Sequence, residues 1–200
     1  MKNKRTFGII PAAGHSRRMG THKLLMPWND GRVIDCVLQA WTSSCVDHTV
    51  MAVRSDDKLL IEAAQLHSSI QILALNTDTQ DMKQTIQTGL EYIQSNWSPI
   101  ETDRCLIAPA DLPKLTHRLI DEVANAIESK IVVPIYGNKT GHPSGFPWVK
   151  TREIFELNQN EGLDALIKRS PIKNISFDIS LRPRDIDTPD DYTRERESAS

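Results

Sequence analysis

The sequence has no surplus of either charge. Its 200 residues carry 24 Lys and Arg against 26 Asp and Glu, a net charge of −2. A dedicated nucleic-acid binder needs a basic excess to neutralise phosphates, so the balance argues against that class. No run approaches the 18 or so apolar residues of a membrane helix. The basic start (Lys2, Lys4, Arg5) leads only into Phe7 to Ala13, with Arg17 and Arg18 close behind. That stretch is too short and too soon recharged for a signal peptide, and a cytoplasmic location is expected. Cysteine is scarce: there are three, an odd number, and none sits in a Cys-x-x-Cys pair. Cys36 and Cys45, nine apart, would face opposite ways on one helix. Reduced, mostly buried thiols are the expectation. The six histidines show no ligand spacing such as His-x-x-x-His, which argues against a zinc site. There is no internal repeat and no low-complexity segment.

What is present is an ordinary globular mixture, 39% hydrophobic and 25% charged. A chain this long buries about 70% of its unfolded surface and needs no staples. One domain is expected over 1–193, with a polar, frayed tail over 194–200.

The periodicity alternates. Strands are predicted over Thr6 to Pro11, His48 to Arg54, Ile70 to Asn76, Arg104 to Pro109, Lys130 to Tyr136 and Ile172 to Ile179. Helices are predicted between them. Val33 to Ser44 aligns Ile34, Val37, Leu38 and Trp41. Asp56 to His67 turns Leu59, Leu60 and Ala63 inward. Asp81 to Gln94 aligns Met82, Ile86, Leu90 and Ile93 as a core stripe. A further helix follows a Thr116 N-cap and ends near Ser129, and short helical pieces lie near Thr151 to Leu157 and Glu161 to Ser170. Pro189 starts the last helix. Strands separated by helices imply right-handed crossovers. The fold expected is a three-layer, doubly wound α/β domain with a mostly parallel sheet. Ligands in such folds sit beyond the carboxyl ends of the strands, so the loops there should carry the chemistry.

The first of those loops reads Pro11-Ala12-Ala13-Gly14-His15-Ser16-Arg17-Arg18-Met19-Gly20-Thr21-His22-Lys23. Small residues let backbone N–H groups approach an anion, and Arg17, Arg18 and Lys23 add mobile positive charge. The loop is neither Gly-x-Gly-x-x-Gly nor Gly-x-x-x-x-Gly-Lys-Ser/Thr. Physics alone admits a phosphate seat or a solvated surface turn. A second stretch, Leu106-Ile107-Ala108-Pro109-Ala110-Asp111-Leu112-Pro113, is an apolar strand delivering a carboxylate to the crevice. Asp111 suits a hard cation such as Mg²⁺, or caps the turn before Pro113.

The loop resembles the signature of the molybdenum cofactor cytidylyl- and guanylyltransferases, Leu-Ala-Ala/Gly-Gly-x-Ser-x-Arg-Met-Gly-x-x-Lys. Ala12, Ala13, Gly14, Ser16, Arg18, Met19, Gly20 and Lys23 match, and Pro11 stands for leucine. The resemblance implies a Rossmann-like nucleotidyltransferase fold. It places Ala12, Ala13, Gly14, Ser16, Arg18 and Lys23 around a nucleoside triphosphate, with Arg18 and Lys23 on the phosphates. The Ala-Ala-Gly form resembles the pyrimidine members, so CTP is the donor it implies. Ala110-Asp111-Leu112-Pro113 is similar to the family's Gly-Asp-Met/Gln-Pro, which makes Asp111 the Mg²⁺ ligand and a catalytic residue with Lys23 and Arg18.

The match continues. Met82 to Leu90 resembles Gly-Met-x-x-Ser-x-x-x-Gly-Leu, with Asp81 for glycine and Thr85 for serine, which puts Thr85 near the nucleoside. Gly141-His142-Pro143 and Phe146 resemble Gly-His-Pro-x-x-Phe, making His142 an acceptor-binding residue. Asp185 to Asp191 resembles Asp-Ile-Asp-Thr-Pro-Glu-Asp. Asp187 there is either a second metal carboxylate or part of a helix start in which Thr188 is the N-cap and Pro189 is N1. Four positions depart: Asn160 and Asp164 replace an aspartate and an arginine, and Gly145 and Pro147 alter the loop near His142.

The activity implied is Mg²⁺-dependent transfer of CMP from CTP to the phosphate of molybdopterin/molybdenum cofactor, the pterin carrying molybdenum, with pyrophosphate leaving. A sugar phosphate or other small alcohol phosphate is an alternative acceptor. A nucleotide-binding accessory or redox role in molybdoenzyme maturation is a third reading, and the resemblance leaves room for a molybdoenzyme partner.

Overall fold

The computed structural model describes residues 4–15 and 19–198. The chain opens with β1 (Thr6–Pro11), buried throughout, then a small hairpin of β2 (Pro27–Trp28) and β3 (Gly31–Arg32). There follow α1 (Val33–Thr42), β4 (His48–Arg54), α2 (Lys58–Gln65), β5 (Ile70–Leu75), α3 (Met82–Trp97), β6 (Arg104–Ile107) and α4 (His117–Ala126). The second half holds β7 (Ile131–Tyr136), β8 (Lys139–Thr140), β9 (Ser144–Pro147), α5 (Leu163–Arg169), β10 (Ile172–Phe177) and α6 (Pro189–Glu197).

The main sheet runs β10-β7-β9-β6-β1-β4-β5, with β8 added to β7. The pairs β1–β4, β1–β6, β4–β5 and β7–β10 are parallel. β9 lies antiparallel between β6 and β7. From β1 the chain first builds outward to β4 and β5, then returns to place β6 on β1's other side. That reversal opens a crevice beyond the carboxyl ends of β1 and β6.

Strand periodicity makes the layers. Phe7 and Ile9 of β1 pack with Ile86, Leu90 and Ile93 of α3. Ile10 packs with Ile34, Val37 and Leu38 of α1 on the opposite face. Gly8 lies on that second face because Trp41 presses on it: a Cβ there would fall 2.5 Å from the indole ring. The expected three-layer α/β architecture is therefore the one observed, with all four residues of the α1 stripe at or below 1% exposure.

Several local expectations are corrected. Ser144–Pro147, read as loop, is a buried strand whose antiparallel pairing carries no periodicity signal in four residues. The piece expected at Thr151 to Leu157 is a 3-10 turn over Trp148–Ile154. Leu59 is exposed, since α2 begins only at Lys58 on an Asp57 N-cap and its inward face is Leu60, Ala63 and Ala64. Met82 is also exposed, because it occupies the first turn of α3 and overhangs the crevice. Among the cysteines only Cys105 is buried. Cys36 is half-buried, and Cys45 is exposed beyond the end of α1, so the two never share a helix. The tail does not fray from 194. α6 continues to Glu197, and buried Glu195 pairs with Lys114 at 3.2 Å and Arg184 at 3.3 Å. Among the described residues no helix is long and apolar enough to cross a membrane.

Candidate active site

Three segments converge beyond β1 and β6. The first is the end of the loop after β1. A 3-10 turn over Lys23–Leu25 buries Leu24 in the core, and this anchor directs Lys23 into the crevice. The second is the turn after β6. The strand ends at Ile107, and Asp111 follows four residues on, held where Ile186 N–H donates to the Asp111 carbonyl at 3.1 Å. The third segment is carried by that same bond. Ile186 is wholly buried, so Asp185 and Asp187 on either side of it are held at the crevice. Thr188 then caps α6, accepting from Asp191 N–H while the Asp191 carboxylate accepts from Thr188 N–H. Pro189 takes N1, as the sequence predicts.

At the centre Lys23 Nζ lies 2.5 Å from Asp111 Oδ2 and 3.1 Å from Asp187 Oδ1. All three side chains are largely shielded, with 16%, 13% and 27% exposure for Lys23, Asp111 and Asp187. Burial works against the Lys23 ammonium, but Asp111 and then Asp187 outweigh it and hold the lysine above its ordinary pKa. Lys23 is therefore a cation throughout the physiological range. The other Asp111 oxygen, Oδ1, is buried with no hydrogen-bond partner among the described residues. A buried carboxylate oxygen without a donor is a costly group that invites a cation or a ligand proton.

These residues line a cleft of about 650 Å³, with His142, Met82 and Arg182 on its walls. A larger groove of about 1060 Å³ runs over α1 and α4, and none of the expected site residues that are described lines it. His142 is half-buried, and its Nδ1 has no partner among the described residues. Burial pushes its pKa below the ordinary value, against the opposing pull of Asp111, Asp164 and Asp185. His142 thus faces the cleft as a neutral hydrogen-bonding ring, which is a different tool from a cationic phosphate clamp.

The sign of that shift makes a prediction. A histidine whose folded pKa is depressed adds stability that is complete above the ordinary value of 6.5. That stability is lost as pH falls through the lower folded pKa. Urea unfolding should show the wild type losing more stability than His142→Gln between neutral pH and about pH 5. Parallel pH profiles would refute the assignment.

The structure gathers Lys23, Asp111, Asp187 and His142 into one cleft, but not every residue singled out above. Ala12 is buried and spends its N–H on Ala52 O at 2.8 Å. Ala13 and Gly14 stand at the loop's start and do not line the cleft; Gly14 is exposed, with open space around it. Thr85 is 2% exposed, and its hydroxyl is engaged by Thr79 at 2.7 Å and by the Asp81 carbonyl. Ser16, Arg17 and Arg18 lie outside the described residues. Of the departing positions, Asp164 lines the cleft, and Asn160, Gly145 and Pro147 do not. Sequence reasoning missed Lys168, Asp185 and Arg182 on the same walls. Only Asp185 had a signal, the motif that also holds Asp187.

Among the described residues no three His, Cys, Asp or Glu side chains converge on a metal position. Two carboxylates that share one lysine do fit a hard cation completing its oxygen shell from a substrate's phosphates.

Comparison with known proteins agrees with the loop signature. The family model for the MobA-like NTP transferase domain matches residues 8–174. The molybdenum cofactor cytidylyltransferase of Escherichia coli is 21% identical over 189 residues, covering 94% of each chain. A probable molybdenum cofactor guanylyltransferase of Bacillus anthracis is 26% identical over 176 residues, covering 84% of this chain and 82% of the relative. The crystal structure of Rv0371C from Mycobacterium tuberculosis, solved as a manganese complex, superposes with a TM-score of 0.73 at 23% identity, covering 98% of this chain and all of the other. With the crevice, its lysine and its carboxylates in place, the chain belongs to the MobA-like NTP transferase domain family and is a nucleotidyltransferase.

Proposed function

We propose that this enzyme transfers CMP from CTP to the phosphate of molybdopterin, releasing pyrophosphate, in the cytoplasm, and hands the product to a molybdoenzyme. The observation that carries the proposal is the Lys23 ammonium held between Asp111 and Asp187 in the cleft. An acceptor phosphate oxygen attacks the α-phosphorus, and the bond to the pyrophosphate oxygen breaks. The nucleophile is already ionised, so the enzyme needs no strong base; it needs alignment and neutralisation of charge. Lys23, cationic at working pH, donates hydrogen bonds to phosphate oxygens. His142, neutral, orients the acceptor by hydrogen bonding. Asp111, with its unpartnered oxygen, and Asp187 would hold a divalent cation, Mg²⁺ in this proposal. When bound, that ion neutralises the charge that gathers on the phosphates. A manganese complex in a protein of the same fold supports the choice of a divalent ion.

CTP rather than GTP rests on the Ala12-Ala13-Gly14 form of the loop. The relatives include both cytidylyl- and guanylyltransferases, so the donor is open to direct test. Pyrophosphate release is to be measured with CTP or GTP, Mg²⁺ and purified molybdopterin, with and without bound molybdenum. Release with CTP and molybdopterin, at least about tenfold faster than with GTP, is expected. Preference for GTP overturns the donor. Release with a small alcohol phosphate and none with molybdopterin overturns the acceptor.

A further inference from the structure

Both ends of the loop after β1 are tied to one buried carboxylate that the loop signature does not contain. The register pairs Pro11 with Ala52, so Arg54, two residues on, lies beside Ala13. Its Nη1 donates to the Ala13 and Gly14 carbonyls at 3.4 and 3.2 Å. Its Nη2 lies 3.6 Å from Asp57 Oδ2, and its Nε donates to Asp56 at 3.0 Å. The same Asp57 oxygen receives His22 Nε2 at 2.7 Å, and His22 immediately precedes Lys23. Asp57 Oδ1 accepts from Leu60 N–H at 3.3 Å and so caps α2. The Arg54 and Asp57 side chains are only 14% and 5% exposed. A cap alone would leave Asp57 at the surface with one partner. Here the carboxylate also joins the loop's first residues, through Arg54, to its last, through His22.

We infer that Arg54 and Asp57 are positioning residues for nucleotidyl transfer: they clasp the two ends of the 12–23 loop and thereby set Lys23 in the cleft. The inference rests on the reading of Lys23 as a phosphate-binding lysine. Partners that orient metal ligands typically change function by about tenfold to a hundredfold when removed, and the same order is expected for partners that orient Lys23. Arg54 cannot be replaced by another cation, because a lysine presents one ammonium where the guanidinium meets partners in three directions.

Two variants separate the clasp from mere folding. Asp57→Asn keeps the α2 cap, since Asn caps as well as Asp, and removes only the charge that holds His22 and Arg54. Arg54→Lys keeps the charge and removes the fork. In the nucleotide-free protein, amide exchange at Leu25 and Met26, whose N–H groups donate to the His22 and Lys23 carbonyls, should speed up about tenfold, with α2 amides unchanged. In turnover, KM for CTP should rise about tenfold or more while KM for the acceptor stays within about twofold. Unchanged exchange at Leu25 and Met26, or equal changes in both KM values, overturns the inference. Faster exchange in the variants of a protein whose wild type neither binds CTP nor releases pyrophosphate upholds the clasp and overturns the phosphate role of Lys23 instead.

Discussion

Replacing Asp111 by Asn lowers kcat by a factor of about a hundred or more and leaves the folded protein as stable as the wild type, within about 1 kcal/mol. The two halves of this expectation have separate causes. The activity falls because Asn keeps the shape of Asp but not the second anionic oxygen, and Asp111 Oδ1 is buried with no partner among the described residues. A hundredfold loss corresponds to about 2.7 kcal/mol of transition-state stabilisation. Stability is spared because Lys23 stands between two carboxylates, at 2.5 and 3.1 Å. Removing the Asp111 charge leaves Lys23 its bond to Asp187 and relieves repulsion between like charges. Steady-state pyrophosphate release and urea unfolding on the same preparation check both halves. Near-normal turnover in this variant would end the role given to Asp111.

Lys23→Met is expected to fail in the opposite way. It removes the ammonium that both Asp111 and Asp187 contact, at sites only 13% and 27% exposed. Breaking a buried pair by deleting one partner costs roughly 3–5 kcal/mol. Partial exposure reduces that here to about 2–3 kcal/mol. Urea unfolding of the variant beside the wild type measures this, and equal stability would mean that the ammonium contributes nothing to the fold. CTP-dependent turnover should disappear at every pH.

The parts legible in the sequence are those that local physics dictates. The apolar run Thr6 to Pro11 is a central strand because every residue in it is buried, and Thr188-Pro189 starts a helix because a hydroxyl cap and a ring with fixed φ suit nothing else so well. Lys23, Asp111 and His142 could be named because family resemblance supplies spacing that composition does not. The illegible parts depend on contacts between distant segments. β9 has only four residues, and its partners β6 and β7 are what make it a strand. Met82 fits a core stripe by its spacing, yet it lies on the last exposed turn before the cleft. Glu195 looks like tail, and only Lys114 and Arg184 reveal it as a docked residue. Arg54 and Asp57 are in sequence only a strand's end and a helix's start, and it is the β1–β4 register that sets them against the loop. Arg182 gave no signal at all in the sequence, although it stands on the wall of the cleft.

The most direct check on the account is a crystal structure of the enzyme with CTP and a divalent cation. The triphosphate should lie in the cleft between β1 and β6, with phosphate oxygens within hydrogen-bonding distance of Lys23 Nζ and the cation on an Asp111 carboxylate oxygen. A nucleotide seated in the groove over α1 and α4, with the ammonium of Lys23 still between its two carboxylates, would contradict it.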